Sequence, residues 1–585
     1  MKILIEYISD VFKKTFEEAG YEKDFGQVVL SNRPDLCQYQ CNGALPAAKI
    51  YKKPPRVIAE EIMNRVKDNT LLEKVEIAGP GFINITISDE FMVDYINKMN
   101  SDDETGLRKT DTPKTIIIDY GGPNVAKPLH VGHLRSAIIG ESLKRIGRAL
   151  GNRVIGDVHL GDWGLQIGLV ISGLEKRHPD LIYFNKDYDG EYPADAPFTI
   201  KELEEIYPLE SKLAKENEEA MKKAKTITAE LQDGRKGYVA LWKHIFNVSV
   251  EDLKKNYHNL NVDFDLWNGE SDCEKVIPTM VQYLKDNGYT RISDGALIVD
   301  LETEEDKKPM PPIIIQKSDG ASLYGTTDLA TIWERMEEYN PDEIIYVVDK
   351  RQSLHFEQVF RCAKKTKIAD EKVKLQFIGF GTMNGKDGKP FKTRDGGVMK
   401  LSDLITLINE QVKSKLKDSE EITPEEKEKT AMTISVSALK YGDLSNIITK
   451  DYVFDIDKFT SFEGNTGLYI LYTVARIKSI LRKTGFKYVE NNVINPASET
   501  ERSLMLSISK FNGSIESSFE QKAPHKLCEY MYEVANIFNK FYHENKIITE
   551  ENPERKHSWL NLIYLVTKVL DYVLDLLGID TLERM

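Results

Sequence analysis

The pattern of apolar and polar positions changes twice along the chain. Residues 1–110 combine helical periodicity with short apolar runs, such as Val75–Ala78 and Phe82–Ile87, that predict strands. This part closes in the polar run Ser101–Lys114, which has the composition of a linker. We therefore predict a small α+β N-terminal domain over residues 1–110.

From Thr115 onwards, apolar runs are separated by helical stretches. This alternation is typical of a parallel sheet whose strands are joined by crossover helices. The predicted strands are Thr115–Asp119, Arg153–Asp157, Pro312–Ile315, Glu343–Val348 and Leu375–Gly379. The charged segment Lys201–Lys236 has a helical period and indicates a surface insertion. We predict a Rossmann-like parallel-sheet domain over residues 111–455, with a helical insertion at about 180–250.

After about Leu401 the strands disappear and long amphipathic helices follow. Apolar residues recur at helical spacing: Tyr469, Leu471, Ala475, Ile477, Ile480 and Leu481, then Ile563, Val566, Leu570, Val573 and Leu577. We predict an all-α bundle over residues 456–585. Three domains fit a chain of 585 residues, because a single core rarely grows beyond about 250–300 residues.

Composition narrows the functional classes. With 41% apolar and 29% charged residues, no stretch reaches the roughly 18 apolar residues of a membrane span. The first residues, Met1–Gly20, do not have the pattern of an export signal, so we expect a cytoplasmic protein. The net charge of -14 argues against indiscriminate nucleic-acid binding and against a DNA partner. Cys37 and Cys41 form the only close cysteine pair, without further ligands at zinc spacing, so we expect thiols and no metal site.

The segment Thr115–Gly151 carries the most chemical information. An apolar strand leads into a Gly-Pro loop and then a helical stripe, so the helix begins near His130 at the strand's carboxyl end. Ligands bind at that edge of open α/β sheets, and a helix N-terminus there favours phosphate. His130 and His133 project the same way from the first turn, and Gly132 lets a nucleotide approach the backbone. The pattern indicates a phosphate site rather than a purely structural histidine pair.

These residues also resemble a known family. His130-Val131-Gly132-His133 resembles the HIGH signature of class I aminoacyl-tRNA synthetases, and Asp119–Ser136 resembles their arginyl branch. Gly121 and Gly122 stand where serines are common in that branch, and we expect them to make the loop more flexible. Further similar stretches are His159–Gly164, Lys317–Gly320, Tyr324–Ala330, and Gln352 with His355 and Phe356.

The resemblance implies an ATP-dependent ligase. L-arginine would be activated to arginyl-adenylate and transferred to the 3′-terminal adenosine of tRNA-Arg, with release of pyrophosphate and AMP. Magnesium would accompany ATP and be held mostly by its phosphates, since the sequence offers no dedicated carboxylate cage. We expect a monomer.

The resemblance further implies an arginine pocket in which Asn124 and Gln352 hold the backbone of the amino acid. Glu270, Tyr324 and Asp328 would surround its side chain. A guanidinium presents a planar fork of donors, for which a carboxylate such as that of Asp328 is the best partner. Helix capping is the other role that the sequence leaves open for Asp328.

The second class I signature, KMSKS, is degenerate in this chain. Its place is taken by Pro390–Arg394, with Pro390 and Thr393 where the signature has lysines. The resemblance implies that Lys127, just before the HIGH signature, supplies the missing cation beside the catalytic His130 and His133. The other residues predicted to bind ATP are Gly132, Lys392, Arg394 and His355. Lys392 and Arg394 are alternatively ordinary loop charges.

Both flanking regions resemble tRNA-binding domains of the arginyl branch. The C-terminal similarity covers Ala438–Tyr441, Ser461–Gly467 and Leu577–Met585, and implies an anticodon-binding bundle, preceded by a stem-contact segment at about 400–455. Tyr39–Gly43 resembles part of the additional N-terminal tRNA-binding domain, although Gln38 replaces a common aspartate. The predicted tRNA-binding residues are Tyr39, Gln40, Asn42, Tyr469 and Arg476. An ordinary amphipathic helix would also explain Tyr469.

Two other functions remain open at this point. One is a class I synthetase for another amino acid, which depends on Glu270, Tyr324 and Asp328. The other is a noncatalytic tRNA-binding paralogue, against which His130, His133 and Lys127 argue.

Overall fold

The computed structural model describes residues 1–33, 35–318, 320–389, 391, 399–416 and 423–584. The chain forms two compact units, and the first contains both ends of the sequence. Its segments are Met1–Thr110, Phe462–Asp575 and Thr581–Met585, and those of the second are Asp111–Ser461 and Leu576–Asp580. No described helix is both long and apolar enough to cross a bilayer.

The N-terminal part of the first unit is a small antiparallel sheet with helices. Its elements are α1 (Leu4–Glu18), β1 (Val28–Leu30), β2 (Tyr39–Cys41), α2 (Ala44–Tyr51), α3 (Pro55–Val66), β3 (Leu72–Ala78), β4 (Phe82–Ile87) and α4 (Asp89–Ser101). The strand order is β1-β2-β4-β3. Ile83, Ile85 and Ile87 are fully buried because alternate residues of a strand share one face. The two strands predicted in this part are confirmed.

The predicted linker Ser101–Lys114 is packed in its middle, at residues 105–108. Leu107 is buried, and the Arg108 guanidinium donates to the carboxylates of Glu6 and Glu516 at 2.6 and 2.8 Å. Polar composition predicted a free linker, but polar residues that find fixed ion partners can order a chain segment.

The second unit is built around a parallel sheet. Its elements up to the middle are β5 (Thr115–Tyr120), α5 (Val131–Ala149), β6 (Arg153–Asp157), α6 (Leu165–Arg177), α7 (Ile200–Glu216), α8 (Glu218–Gln232), α9 (Lys236–Asn259), α10 (Glu270–Cys273) and α11 (Ile277–Asp286). The rest are β7 (Arg291–Ser293), β8 (Ala296–Val299), β9 (Ile313–Gln316), α12 (Tyr324–Tyr339), β10 (Glu343–Asp349), α13 (Ser353–Lys365), β11 (Lys374–Phe380), β12 (Met383–Asn384), α14 (Leu401–Lys415), α15 (Pro424–Leu444), β13 (Tyr452–Val453) and α16 (Ile456–Phe459).

The central sheet has the order β11-β10-β5-β6, and all its pairings are parallel. Ile116–Ile118 are almost completely buried, as expected for a strand covered on both faces. The predicted parallel sheet is therefore confirmed. Because all four strands run the same way, their carboxyl ends meet at one edge, where Tyr120, Asp157 and Asp349 end their strands.

Two details of the strand prediction are wrong. The run Pro312–Ile315 does form a strand, β9, but it lies in a separate antiparallel sheet with β7 and β8. A short apolar run carries no information about the direction of its partner, so sequence alone could not separate the two cases. Strands also do not end at Leu401, since Tyr452–Val453 pairs with Met383–Asn384.

The insertion forms helices α7 and α8, which pack on α6. Leu169, Ala214 and Ala224 form a small core there, joined by Leu165, Tyr207 and Met221. A Cβ added at Gly168 would come within 2.3 Å of the Ala224 carbonyl oxygen, so glycine permits the close approach of α8. The charged insertion predicted from the sequence is therefore anchored through its own apolar face.

The C-terminal part of the first unit is helical. Its helices are α17 (Gly467–Lys483), α18 (Glu499–Ser509), α19 (Phe511–Glu520), α20 (His525–Glu544) and α21 (Pro553–Leu576). The apolar faces predicted from Leu471, Ile477 and Val566 are buried, which confirms the amphipathic pattern. Short 3-10 turns at Lys23–Gly26, Ile182–Phe184, Lys350–Gln352 and Ile547–Thr549 complete the elements.

Candidate active site

The loop between β5 and α5 is fixed at its glycines. Gly121 has a left-handed φ of 77°, its N–H donates to Ser136 Oγ at 2.7 Å, and its carbonyl accepts from Tyr257 at 2.5 Å. A Cβ at Gly122 would lie 2.3 Å from the His159 carbonyl oxygen. Glycine serves a tight turn and a close contact here, and the expected flexibility of this loop stays a prediction.

His130 and His133 share the first turn of α5, whose predicted start near His130 is confirmed. His130 is the N-cap residue: its Nδ1 accepts from the Gly132 N–H at 3.0 Å. His133 Nδ1 in turn accepts from the His130 N–H at 3.2 Å, and the two rings stack with centroids 3.8 Å apart. Since Nδ1 accepts in both rings, each neutral imidazole carries its proton on Nε2. The capping pattern thus leaves two Nε2–H donors at a helix N-terminus.

Burial keeps both imidazoles neutral. Desolvation lowers the pKa of His130, with a smaller contribution from Lys127. Desolvation also lowers the pKa of His133 to about 3, helped by His130 and Lys127. The two rings therefore act as hydrogen-bond donors without charge at neutral pH, and the positive charge of this side comes from Lys127.

Lys127 follows a strained residue and contacts an aromatic ring. Ala126 has a left-handed φ of 59°, and its N–H donates to Ser249 Oγ at 3.0 Å. The Lys127 ammonium lies 4.4 Å from the centroid of the Tyr207 ring on α7. Its charge is felt at both His130 and His133, so the three predicted catalytic residues lie together.

The chain returns to this loop after the second signature. Leu401 N–H donates to the Leu129 carbonyl at 2.9 Å, and Val131 N–H donates to the Met399 carbonyl at 3.1 Å. Lys400 pairs with Glu204 of α7 at 2.7 Å. The predicted ATP-binding residues Lys392 and Arg394, like Pro390, Thr393 and Asp319 of the similar stretches, lie outside the described residues.

Two acidic side chains, Glu270 and Asp328, lie near the starts of α10 and α12, and His355 of α13 lies beside Asp328. Asp328 Oδ2 and His355 Nε2 are 2.5 Å apart, so the structure joins a predicted arginine ligand to a predicted ATP ligand. Asp328 is the fifth residue of α12, whose N-terminus is capped at Leu323 through Thr326 Oγ1. The capping alternative for Asp328 is therefore wrong, and its carboxylate is available to a ligand beside the imidazole.

Burial also acts on the acidic group. Desolvation raises the pKa of Glu270 to about 7, while His159 acts to lower it and Asp162 and Asp328 act to raise it. Desolvation is the main cause that raises the pKa of Tyr324, and the neighbouring Glu270 adds to it. Tyr324 is 70% exposed. These mutual effects mean that Glu270, Tyr324 and Asp328 are neighbours, as the sequence resemblance implied for an arginine pocket.

The two residues assigned to the amino-acid backbone have different surroundings. Asn124 forms a bridge with Gly161, where an added Cβ would lie 2.0 Å from Asn124 Oδ1. Gln352 is exposed and ends the short turn before α13. Asn124 is thus held against the loop that follows β6, whereas Gln352 stands free on the helix that carries His355.

A buried ion network lies beneath the site, and sequence reasoning missed it. Arg335 is 3% exposed and donates to Asp119 Oδ2 and Asp157 Oδ2 at 2.6 Å each, and to the Tyr346 hydroxyl at 3.0 Å. The network ties β5, β6 and β10 to α12. Its only sequence signal is charged residues within or directly after apolar strands.

Two further site neighbours were also missed. His159 is near Glu270 and lowers its pKa, and neither of its ring nitrogens has a hydrogen-bond partner in the described part of the chain. Its place in the similar stretch His159–Gly164 was a usable signal. Tyr207 has no such signal, because it lies in a charged helical insertion.

The predicted tRNA-binding residues lie in the first unit. Tyr39 is 5% exposed, Gln40 donates to Asn84 Oδ1 at 2.8 Å, and Asn42 is half-buried. Tyr469 and Arg476 meet through Asn539, which donates to the tyrosine hydroxyl at 2.8 Å and accepts from the guanidinium at 2.7 Å. The C-terminal pair therefore forms one cluster, while Tyr39 is buried against Ser509 in the helical part of the same unit.

All five cysteines are buried, and Cys37 and Cys41 contact Ser31 Oγ and the Phe25 carbonyl respectively. Within the described ranges, no group of three or more His, Cys, Asp or Glu side chains is arranged to hold a metal ion.

Comparison with known proteins covers the whole chain. The catalytic-domain model of the tRNA synthetases class I (R) matches residues 96–456. The DALR anticodon binding domain matches residues 470–585, and the arginyl tRNA synthetase N terminal domain matches residues 2–87.

Similar proteins align with this chain over its full length. The arginine–tRNA ligase of Alkaliphilus oremlandii is 61% identical and that of Agathobacter rectalis 54% identical, each over 100% of both chains. The crystal structure of arginyl-tRNA synthetase from Plasmodium falciparum covers 100% of both chains with a TM-score of 0.81 and 27% identity. The Thermus thermophilus arginyl-tRNA synthetase shares the fold, with a TM-score of 0.74 and 20% identity over 100% of both chains. With its three domain models and full-length similarity, the chain belongs to the arginyl-tRNA synthetase family of class I tRNA synthetases.

Proposed function

We propose that the chain is an arginine–tRNA ligase, which activates L-arginine with ATP and transfers it to the terminal adenosine of tRNA-Arg. One structural observation supports this proposal most directly. The helix start with two imidazole donors and Lys127 lies at the same sheet edge as the acidic group of Glu270 and Asp328. One side suits a triphosphate, and the other suits a guanidinium.

On the phosphate side, the arginine carboxylate attacks the α-phosphorus of ATP and pyrophosphate leaves. Nε2–H of His130 and of His133 donates to phosphoryl oxygens as negative charge grows on them. Lys127 supplies the cation that the degenerate second signature lacks, and Gly132 leaves room for the nucleotide. No covalent enzyme intermediate is required, because positioning and electrostatic stabilisation suffice for this transfer.

On the amino-acid side, Asp328 receives the guanidinium. Its Oδ2 is bonded to His355 at 2.5 Å, which fixes the orientation of the carboxylate. Oδ1 and the second lone pair of Oδ2 remain for the two arms of the guanidinium. Glu270 and Tyr324 border the same space, while Asn124 and Gln352 bind the backbone of arginine. His355 therefore orients Asp328, in addition to the ATP-binding role implied by the sequence resemblance.

Magnesium would enter with ATP. The described residues contain no ready cluster of three metal-binding side chains, so the ATP phosphates themselves would supply most of its ligands. The ion would neutralise charge on the leaving pyrophosphate.

The tRNA would be bound by both parts of the first unit. Tyr469 and Arg476 lie in the region matched by the DALR anticodon binding domain, and Tyr472 stacks on Arg476 at 4.7 Å with 40% of its surface exposed. Exposed aromatic rings and arginines suit stacking with unpaired bases. We further propose Gln40 and Asn42 as N-terminal contacts, a cytoplasmic location and a monomeric state. For Tyr39, contact through the backbone is favoured by the burial of its ring.

Aminoacylation of total tRNA with each labelled amino acid tests the proposal. We expect arginine to be attached, and no other amino acid at a comparable rate. Attachment of a different amino acid would assign the chain to another specificity, and tRNA binding without any attachment would make it a noncatalytic paralogue. Pyrophosphate exchange with and without tRNA would show whether tRNA is required to form the adenylate.

A further inference from the structure

The insertion helix α7 contributes an aromatic ring to the phosphate side of the site. Tyr207 is half-buried and packs on the small core formed by Leu169, Ala214 and Ala224. Its ring faces Lys127, whose ammonium lies 4.4 Å from the ring centroid. The ring is thus held from behind by the insertion core and touches the cation in front.

Helix α7 is also bonded to the segment around Lys400, which runs beside the HIGH signature. Glu204, one turn before Tyr207, pairs with Lys400 at 2.7 Å, and residues three apart share a helix face. The backbone on either side of Lys400 is bonded to Leu129 and Val131 beside the histidines. One face of α7 therefore contacts Lys127, just before the HIGH signature, and Lys400, whose segment is bonded to the signature. These two contacts limit the freedom of Tyr207 relative to Lys127.

An aromatic ring and a carboxylate would leave the charge and the N–H donors of a bound lysine in different states. No carboxylate in the described part of the chain forms an ion pair with Lys127. A carboxylate would cancel the positive charge and occupy its donors, whereas a ring attracts the ammonium through its quadrupole and leaves the N–H groups free. The contact with Tyr207 therefore restrains the long side chain while its charge stays available to a phosphate.

We infer that Tyr207 is a positioning residue for ATP binding: its ring holds the Lys127 ammonium where the triphosphate binds. The inference rests on the proposed function only in assigning Lys127 to the ATP phosphates. It gives the helical insertion a part in nucleotide binding, in addition to its packing on α6.

The test measures the Kd of ATP with Mg²⁺ on the full chain by titration calorimetry, without arginine or tRNA. Tyr207→Leu should raise this Kd about threefold to thirtyfold, the range of a cation–π contact, and Tyr207→Phe, which keeps the ring, should not. In Tyr207→Leu the KM for arginine should change less than the Kd of ATP, because Tyr207 lies near Tyr324 but contacts Lys127 directly. A Tyr207→Leu Kd within about twofold of the unaltered chain, or an equal loss in Tyr207→Phe, would overturn the inference.

A double-variant cycle separates the contact from general damage to the site. Tyr207→Leu should have no further effect on the Kd of ATP in a Lys127→Ala background, and additive effects would contradict a direct role through Lys127. Unchanged ATP binding in Lys127→Ala alone would overturn the assignment of Lys127 to the phosphates. Failure to attach arginine to tRNA would overturn the proposed function but leave these binding measurements valid.

A series of fluorinated aromatic residues at position 207 provides the test if Tyr207→Leu does not fold. Replacing Tyr207 with phenylalanines that carry one, two and three fluorines preserves the ring's shape and weakens its negative face stepwise. The Kd of ATP should rise with each fluorine, and a flat series would overturn the inference.

Discussion

The phosphate side and the amino-acid side of the candidate site use burial in opposite ways. On the phosphate side, burial lowers the pKa of His130 and His133 and keeps these bases uncharged. On the amino-acid side, burial raises the pKa of Glu270 to about 7 and so favours its neutral acid. Burial disfavours charge in both places, but the outcome differs because a neutral imidazole still donates, whereas a neutral carboxyl loses most of its attraction for a guanidinium.

The difference shows where each side keeps its permanent charge. On the phosphate side it is Lys127, which faces a ring rather than an acid. On the amino-acid side it is Asp328, which is joined to His355. Each side therefore has one charged residue for affinity and neutral or titrating neighbours for orientation, and the two sides should respond separately to substitution.

The largest effect is expected from Asp328→Asn, which removes the charge and keeps the shape. The kcat/KM for arginine in pyrophosphate exchange should fall about a hundredfold to ten-thousandfold, since two hydrogen bonds to a charged group are weakened. The Kd of ATP should change much less, since Asp328 reaches the ATP side only through His355. Glu337→Gln, on the exposed face of the same helix, is the control, and an equal loss of ATP affinity in Asp328→Asn would contradict the separation of the two sides.

Arg335→Met should damage both sides together. It leaves Asp119 and Asp157 buried without their shared partner, which costs about 3–5 kcal/mol of folding free energy. Thermal unfolding should show a large loss, whereas Arg291→Met, which breaks an exposed pair with Asp300, should change little. Adding Asp119→Asn to Arg335→Met should recover part of the loss, and no recovery would contradict an electrostatic cause.

His133→Asn should affect the phosphate side alone. Asparagine can still accept from the His130 N–H but does not reach the phosphate as Nε2 does. Adenylate formation should slow about 100- to 1000-fold, as for the loss of one oxyanion donor, with unchanged arginine affinity. Single-turnover measurement of the adenylate tests this, and a raised Kd for arginine would show that the two sides are coupled.

The smallest effect is a pH dependence of arginine binding. Because the pKa of Glu270 is about 7, its carboxylate forms as pH rises from 6 to 8, and the KM for arginine should fall about tenfold over that range. Glu270→Gln should flatten the profile. The same shift makes the folded chain bind more protons than the unfolded chain, so the contribution of Glu270 to stability is lost as pH rises from 4.5 to about 7.

No matching pH dependence is expected for ATP from the histidines. The pKa of His133 is about 3, so its ring is already neutral at pH 6 and remains so at pH 8. A step in the Kd of ATP near pH 7 that disappears in His133→Asn would contradict the lowered pKa.

Much of the architecture could be predicted because it depends on local patterns. The start of α5 follows from an apolar strand, a Gly-Pro loop and a helical stripe, all within Thr115–Gly151. The direction of β9 and the packing of Arg108 could not be predicted, because both depend on partners that are distant in the sequence. The three-domain division stays a prediction, since the two ends of the chain share one compact unit.

The candidate site divides in the same way. Resemblance supplied His130, His133, Lys127, Glu270 and Asp328 as candidates, but the two bonds that the backbone of Gly121 makes came only from the structure. Tyr207 and Arg335 escaped notice because an aromatic residue in a charged insertion and an arginine in an amphipathic helix look ordinary.

The sequence by itself determined the strands of the central sheet, the start of the signature helix and most of the candidate reactive side chains, because periodicity and motif spacing are local properties. Only the tertiary structure decided that His355 binds Asp328, that Tyr207 faces Lys127, and that His133 is neutral while Glu270 titrates near pH 7. Contacts between distant residues exist only after packing, and pKa values follow from the burial that packing creates.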